Sequence, residues 1–283
     1  MSATDTFAAP DLPALDNDVR WSTWPFIAKG SRGPKPYPDW LITESAALDT
    51  ELGILKTGKE ADVHLLERAV PGDPTRRSLL AAKRYRDHKH RQFTRDGSYT
   101  AGRRLRKSRD QRAADSRRSE YGRGLRAASW AFTEFDALCR LYEAGAPVPY
   151  PVQLDDTEVL MEFIQPADAD STSEVSEGTA APRLAQARPS SELLATYFEQ
   201  LREAMGVFAR LGWAHGDLSP YNVLATGERL VIIDVPQVVD LASSPFAVEF
   251  LHRDCLNMST WFTAHGLPVD PDELFAEVYA QAF

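Results

Sequence analysis

Apolar positions along this chain follow two different periods, and the change between them divides it into unlike halves. From Leu52 to Leu66 the pattern predicts two strands flanking Thr57-Gly58-Lys59-Glu60-Ala61. Pro71-Gly72-Asp73-Pro74 is a turn signal, and Ser78 to Tyr85 reads as a third strand. Ala131, Phe135, Leu138, Leu141 and Tyr142 then recur at three- and four-residue intervals, which predicts a helix over 128–143 ended by Gly145. Pro147 to Pro151 breaks the chain, and two short strands follow at Val152–Leu154 and Glu158–Phe163. A long helix over Ser191–Leu211 carries the stripe Leu194, Tyr197, Leu201, Met205 and Phe208, with Gly212 closing it. Leu230–Val235 reads as a strand, and helices are expected over Pro245–His265 and Asp270–Ala282. Strands first, one helix, then a mainly helical half predict an α+β class: a small β-rich lobe, a larger helical lobe and a cleft between them.

The expected divisions are an N-terminal arm over 1–45 and one domain over 46–283. Within the domain we expect an N-lobe to about residue 163, a low-complexity insert over 166–189 with little to bury, and a C-lobe from about 190. The arm holds Trp21, Trp24, Phe26, Tyr37 and Trp40. Disordered tails are poor in aromatics, so it is expected to wrap the body in extended form.

Charge changes this picture more than overall composition does. The chain has 283 residues, ample for a buried core, and a formal net charge of −9. Between Arg91 and Arg126, twelve Lys or Arg stand against four Asp or Glu, a net +8, so the rest carries −17. A basic loop over 87–126 on an acidic body suits an anionic partner such as RNA, an autoinhibitory tether, or a solvated loop with no partner. No run of eighteen apolar residues predicts a membrane span, and the start of the chain lacks the pattern of a secretory signal. Two cysteines, Cys139 and Cys255, are too few for a disulfide framework, which points to a cytoplasmic address.

The candidate chemistry lies in His215-Gly216-Asp217-Leu218-Ser219-Pro220-Tyr221-Asn222 and in Val231-Ile232-Ile233-Asp234. An Asp and an Asn five apart, then an Asp ending an apolar strand, is the spacing with which kinase-like folds build a phosphoryl-transfer site. Asp217 would orient or deprotonate the attacking hydroxyl, while Asn222 and Asp234 would hold Mg²⁺ against the phosphates of ATP. Lys83 shares a strand face with Ala81 and Leu79, and Glu134 shares a helix face with Ala131, Leu138 and Leu141. A charge on an apolar face needs a partner, and each anomaly resolves the other as an ion pair positioning the ammonium on ATP. The turn at Gly58 and Lys59 sits upstream, where a phosphate-covering loop belongs. Met161-Glu162-Phe163-Ile164 would connect the lobes, with backbone groups of Glu162 and Ile164 offered to an adenine edge.

Together these residues resemble the RIO atypical protein kinases. The matching stretches are Thr57-Gly58-Lys59-Glu60-Ala61, Lys83-Arg84-Tyr85-Arg86, Trp130 to Leu141, Met161 to Ile164 and Ala181-Pro182-Arg183-Leu184. They continue through His215 to Asn222, Ile232-Ile233-Asp234-Val235-Pro236-Gln237 and Phe250-Leu251-His252-Arg253-Asp254. In order, they span about residues 52 to 283. The resemblance implies a trimmed kinase fold without an activation loop, serine/threonine kinase activity with autophosphorylation or ATP hydrolysis, and ATP and Mg²⁺ as cofactors. It implies the catalytic role for Asp217, metal ligation by Asn222 and Asp234, a Lys83–Glu134 pair, and hinge contacts at Glu162 and Ile164. Some members phosphorylate the metal-binding aspartate, which makes Asp234 a candidate acceptor. The absence of an N-terminal winged helix points to the subfamily without one, and the Arg- and Ala-rich composition looks bacterial. In archaeal and eukaryotic relatives the partner is the maturing small ribosomal subunit, so an ATP-driven binding module on an RNA–protein particle is one alternative. A small-molecule phosphotransferase of the aminoglycoside or choline type is another, since it also uses His-Gly-Asp.

Overall fold

The computed structural model describes residues 16–86, 120–167, 178–236, 238–244 and 246–283. Most of the basic segment and residues 168–177 of the insert lie outside them.

The N-lobe is a six-stranded antiparallel sheet in the order β1-β2-β3-β4-β6-β5. The strands are β1 (Val19–Trp21), β2 (Leu48–Thr57), β3 (Ala61–Val70), β4 (Asp73–Tyr85), β5 (Pro151–Asp155) and β6 (Glu158–Glu162). Register decides what each face presents, because side chains alternate along a strand. Leu66 pairs with Leu80, and Ala82 with Leu160. These four pack with Trp24, Leu41, Tyr150 and Val152 into a core behind the sheet. The opposite face carries the pairs Leu65–Ala81, Val63–Lys83 and Ala61–Tyr85. It looks into the cleft and onto helix α1 (Glu120–Glu143), whose Ala131, Phe135 and Leu138 are buried.

The C-lobe is built on α2 (Ser191–Arg210), α3 (Ala247–Ala264) and α4 (Pro271–Tyr279). Its strand pairs are β8 (Val223–Thr226) with β9 (Arg229–Ile232), and β7 (Trp213–Ala214) with β10 (Val239–Asp240). The expected stripe of α2 is buried from Leu194 to Phe208, and Ser190 caps the helix by accepting from the Leu193 N–H. Asp270 does the same for α4, with Pro271 at its first position.

Several boundaries differ from expectation for identifiable reasons. Strand β2 begins at Leu48, and two register shifts near Gly53 (φ 127°) hide its alternation. Strand β4 begins at Asp73, so the turn is confined to Pro71 and Gly72. Helix α1 begins at Glu120, which makes the end of the expected basic loop helical. Gly122, Gly124 and the charged residues among them hide the helical period there. Strand β9 stops at Ile232, short of Val235. The insert is not wholly idle either: Leu184 is fully buried, Arg183 bridges to Leu224, and the Pro182 carbonyl accepts from the Ala225 N–H. The described part of the arm is more than extended chain. It forms β1, two short 3-10 turns and the buried contact of Trp24. Among the described residues no helix is long and apolar enough to cross a membrane.

A buried ion pair braces the back of the sheet. Arg68 and Asp49, directly paired across β3 and β2, are joined at 2.7 and 2.9 Å and are 0% and 1% exposed. Gln153 on β5 accepts from the same guanidinium and donates to Thr23 of the arm, tying four segments together. Removing one partner leaves the other charge buried and uncompensated. Asp49→Ala is therefore expected to lower unfolding free energy by about 3 to 5 kcal/mol, read from denaturant midpoints. A loss well under 1 kcal/mol would contradict the brace.

Candidate active site

Three elements converge on one ammonium group. Alternation on β4 sends Lys83 into the cleft, α1 carries Glu134 beneath it, and the bend after β9 brings Asp234 from the other lobe. Lys83 Nζ lies 2.6 Å from Glu134 Oε1 and 2.7 Å from Asp234 Oδ1. Glu134 is 1% exposed, and its second oxygen accepts from the Tyr85 hydroxyl at 2.5 Å. Burial alone would depress the lysine, but Glu134 and Asp234 outweigh it and push Lys83 up to about 12. Burial raises the Glu134 carboxyl, and Lys83 only partly offsets this. Burial would also raise Asp234, yet Lys83, helped by Lys56 and His215, holds that carboxyl below its usual range. Asp234 sits at φ 65°, a left-handed conformation that costs a non-glycine residue energy and aims its carboxylate back at the cleft.

The Asp217 loop is held from below by one helix. Asp254 of α3 accepts from the Gly216 N–H at 2.7 Å and from the Leu218 N–H at 2.9 Å. Arg253 donates to the Gly216 carbonyl, and Asn257 donates to the Leu218 carbonyl at 3.0 Å. The backbone groups on both sides of Asp217 are thereby fixed, while its side chain is exposed. Burial pushes Asp254 up to about 7, against the pull of the two N–H groups and Arg253. His215 is buried and accordingly held below its usual value, and its Nε2 meets the Ile233 carbonyl at 3.2 Å. That contact links the loop to the residue before Asp234.

Asn222 shows whether a divalent metal fits. Its Nδ2 donates to the Asp217 carbonyl at 2.9 Å, and its own carbonyl accepts from the Ile233 N–H at 2.9 Å. The amide nitrogen is committed, which leaves Oδ1 as the hard oxygen donor a metal would use. Among the described residues no three His, Cys, Asp or Glu cluster as a metal site. A carboxylate and an amide oxygen, completed by phosphate oxygens and water, are the set Mg²⁺ prefers.

The other expected residues lie on the turn between β2 and β3 and on the connector at the end of β6. The Gly58 N–H donates to the Ala61 carbonyl at 2.9 Å, and a Cβ at Gly58 would lie 2.8 Å from that oxygen, so the turn requires glycine. Lys59 is exposed on the same turn. At the connector, the Glu162 N–H is taken by the Tyr150 carbonyl, and the Ile164 carbonyl accepts from the Ala181 N–H. The Glu162 side chain points behind the sheet, where its Oε2 accepts from the Tyr150 N–H at 3.0 Å. Tyr85, Lys56, Arg253, Asp254 and Asn257 were given no role on sequence grounds. Alternation did place Tyr85 on the face of Lys83, and the matching stretches contain Tyr85, Arg253 and Asp254, signals that could have singled them out.

Comparison with known proteins gives a family and a fold. The RIO domain model covers residues 79–274, from β4 to α4. The chain belongs to the RIO family. It is 31% identical over 240 residues to the RIO-type serine/threonine-protein kinase Rio1 of Haloferax volcanii, covering 83% of this chain and 70% of that protein. It is 34% identical over 143 residues to the serine/threonine-protein kinase RIO1 of Caenorhabditis elegans, which is 50% of this chain and 26% of that one. The Rio2 kinase of Chaetomium thermophilum, solved as an ADP/Mg²⁺-phosphoaspartate complex, shares the fold with a TM-score of 0.53 and 20% identity, over 82% of this chain and 62% of that one. The two-lobed α+β arrangement expected from the order of elements, and the kinase-like fold implied by the resemblance, are the ones found.

Because Lys83 and Glu134 satisfy one another, they should act as one unit. Replacing either by Ala is expected to weaken phosphoryl transfer about as much as replacing both. Fully additive losses in a double-mutant cycle would contradict the pairing.

Proposed function

We propose that this RIO-type serine/threonine kinase transfers the γ-phosphoryl group of ATP with Asp217 as its catalytic base or orienting group. The observation carrying this reading is that one lysine is shared between Glu134 on α1 and Asp234 from the opposite lobe, beside a loop whose backbone is fixed around Asp217. Asn222 Oδ1 and Asp234 would hold Mg²⁺, which neutralises phosphate charge and orients the group being transferred. Lys83 would contact the α- and β-phosphates from its place above Glu134. The turn at Gly58 and Lys59 would cover the phosphates, with Lys56 adding positive charge. Backbone contacts to adenine would fall to the Glu162 carbonyl and the Ile164 N–H, since their other backbone groups are committed. The fixed loop supplies preorganisation: Asp217 would meet an incoming hydroxyl without rearrangement of its own backbone.

A second reading keeps the same site and changes the acceptor. Asp234, strained and aimed into the cleft, would take the phosphoryl group and release it to water, making the protein an ATP-driven binding module. The phosphoaspartate in the Chaetomium relative supports this second reading. The basic segment Arg91–Arg126 would then dock RNA or a ribosomal particle, and cysteine usage suggests that this happens in the cytoplasm. Incubation with labelled ATP and Mg²⁺, followed by mapping of the phosphate, separates the two. An acid-stable serine ester supports the kinase, and a base-labile acyl phosphate supports the ATPase. The RIO family match sets aside a small-molecule phosphotransferase of the aminoglycoside or choline type.

Asp217→Asn is expected to slow transfer by roughly two to four orders of magnitude while Mg-ATP affinity stays near that of the unchanged protein. Near-normal turnover would overturn the catalytic assignment. Asp234→Ala should instead abolish the Mg²⁺-dependent part of nucleotide binding, and calorimetry showing unchanged Mg-ATP affinity would count against it as a ligand.

A further inference from the structure

Glu134 is buried, and a buried carboxylate needs donors for both oxygens. Lys83 serves only Oε1. The other, Oε2, is met by the Tyr85 hydroxyl at 2.5 Å. Tyr85 lies two residues beyond Lys83 on β4, so alternation places both on the cleft face, and Tyr85 is itself 6% exposed. One strand thus delivers the ammonium and the phenol to opposite oxygens of a single carboxylate. The two donors also touch, with Lys83 Nζ 5.4 Å from the centre of the Tyr85 ring. Burial, with Glu134 beside it, pushes the phenol far above its usual range, so it remains a protonated donor.

We propose that Tyr85 is a positioning residue for phosphoryl transfer, which fixes the Glu134 carboxylate in the orientation that holds Lys83 over the cleft. A carboxylate anchored by the lysine alone could rotate about its terminal torsion, which is soft. The lysine, already shared with Asp234, would follow it. With the hydroxyl in place, Glu134 has one orientation in which both oxygens are satisfied, and Lys83 Nζ is set between Glu134 and Asp234. Tyr85 need not touch nucleotide: its effect passes through Glu134.

This rests on the reading of Lys83 and Glu134 as the phosphate-positioning pair, and the test separates the two ideas. Tyr85→Phe keeps the ring and removes the hydroxyl. Hydrogen bonds to charged groups contribute about 1.5 to 3 kcal/mol, so turnover in this variant is expected to fall roughly 10- to 160-fold, with kcat affected more than KM. The decisive measurement is a cycle of Tyr85→Phe, Glu134→Ala and the double variant, each checked for folding by thermal melting. Once Glu134 is gone, removing the hydroxyl should change turnover less than about twofold. If turnover on the Glu134→Ala background is too slow to follow, Mg-ATP affinity by calorimetry closes the same cycle. Wild-type turnover in Tyr85→Phe, or the same loss with and without Glu134, would overturn the role of Tyr85 and leave the Lys83–Glu134 reading standing. Failure of the unchanged protein to bind Mg-ATP would instead remove the reading on which it rests.

Discussion

The site depends on one constraint: a buried carboxylate must be compensated. Glu134 lies almost wholly out of water on α1, and an uncompensated charge there would cost several kcal/mol. Lys83 and Tyr85 supply the compensation from one strand, and the lysine reaches on to Asp234. The ammonium that neutralises a helix residue of the N-lobe is thereby held against a residue of the C-lobe, where the function we propose places the ATP phosphates. Stability and chemistry draw on the same contact.

The rest of the fold serves to keep that contact in place. The sheet gives Lys83 its direction because its other face is sealed by Leu66, Leu80 and Leu160 against Trp24 and Leu41. Those residues leave no freedom for a register slip, since a one-residue shift would turn Lys83 into the apolar core. The C-lobe supplies the counterpart through α3. Its Arg253, Asp254 and Asn257 hold the backbone around Asp217, while Asn222 and His215 tie that loop to Ile233 next to Asp234. The backbone around Asp217 is therefore fixed by the protein's own side chains, which is what electrostatic preorganisation would require.

Much of this was legible in the sequence where chemistry and period coincide. Lys83 and Glu134 were visible as charges on apolar faces, and the spacing of Asp217, Asn222 and Asp234 was visible as a pattern. What escaped has physical reasons. Asp254 was overlooked although it shares a helix face with Leu251 and Met258, the same anomaly that marked Glu134. Its role comes from two backbone N–H groups 36 and 38 residues away. Leu184 was hidden in a segment of Ala, Ser and Pro, and its burial depends on the distant β8 strand. Bulges in β2 removed the alternation that would have extended that strand back to Leu48. The Arg68–Asp49 pair is likewise unreadable locally, because register across β2 and β3 brings it together.

The most direct test of the account is a crystal structure with Mg²⁺ and a non-hydrolysable ATP analogue bound. The account requires the metal between Asn222 Oδ1 and the Asp234 carboxylate. It also requires Lys83 Nζ within hydrogen-bond reach of the α- or β-phosphate while still bonded to Glu134, whose other oxygen stays with Tyr85. A metal bound elsewhere, or a phosphate chain that leaves Lys83 uninvolved, would contradict it.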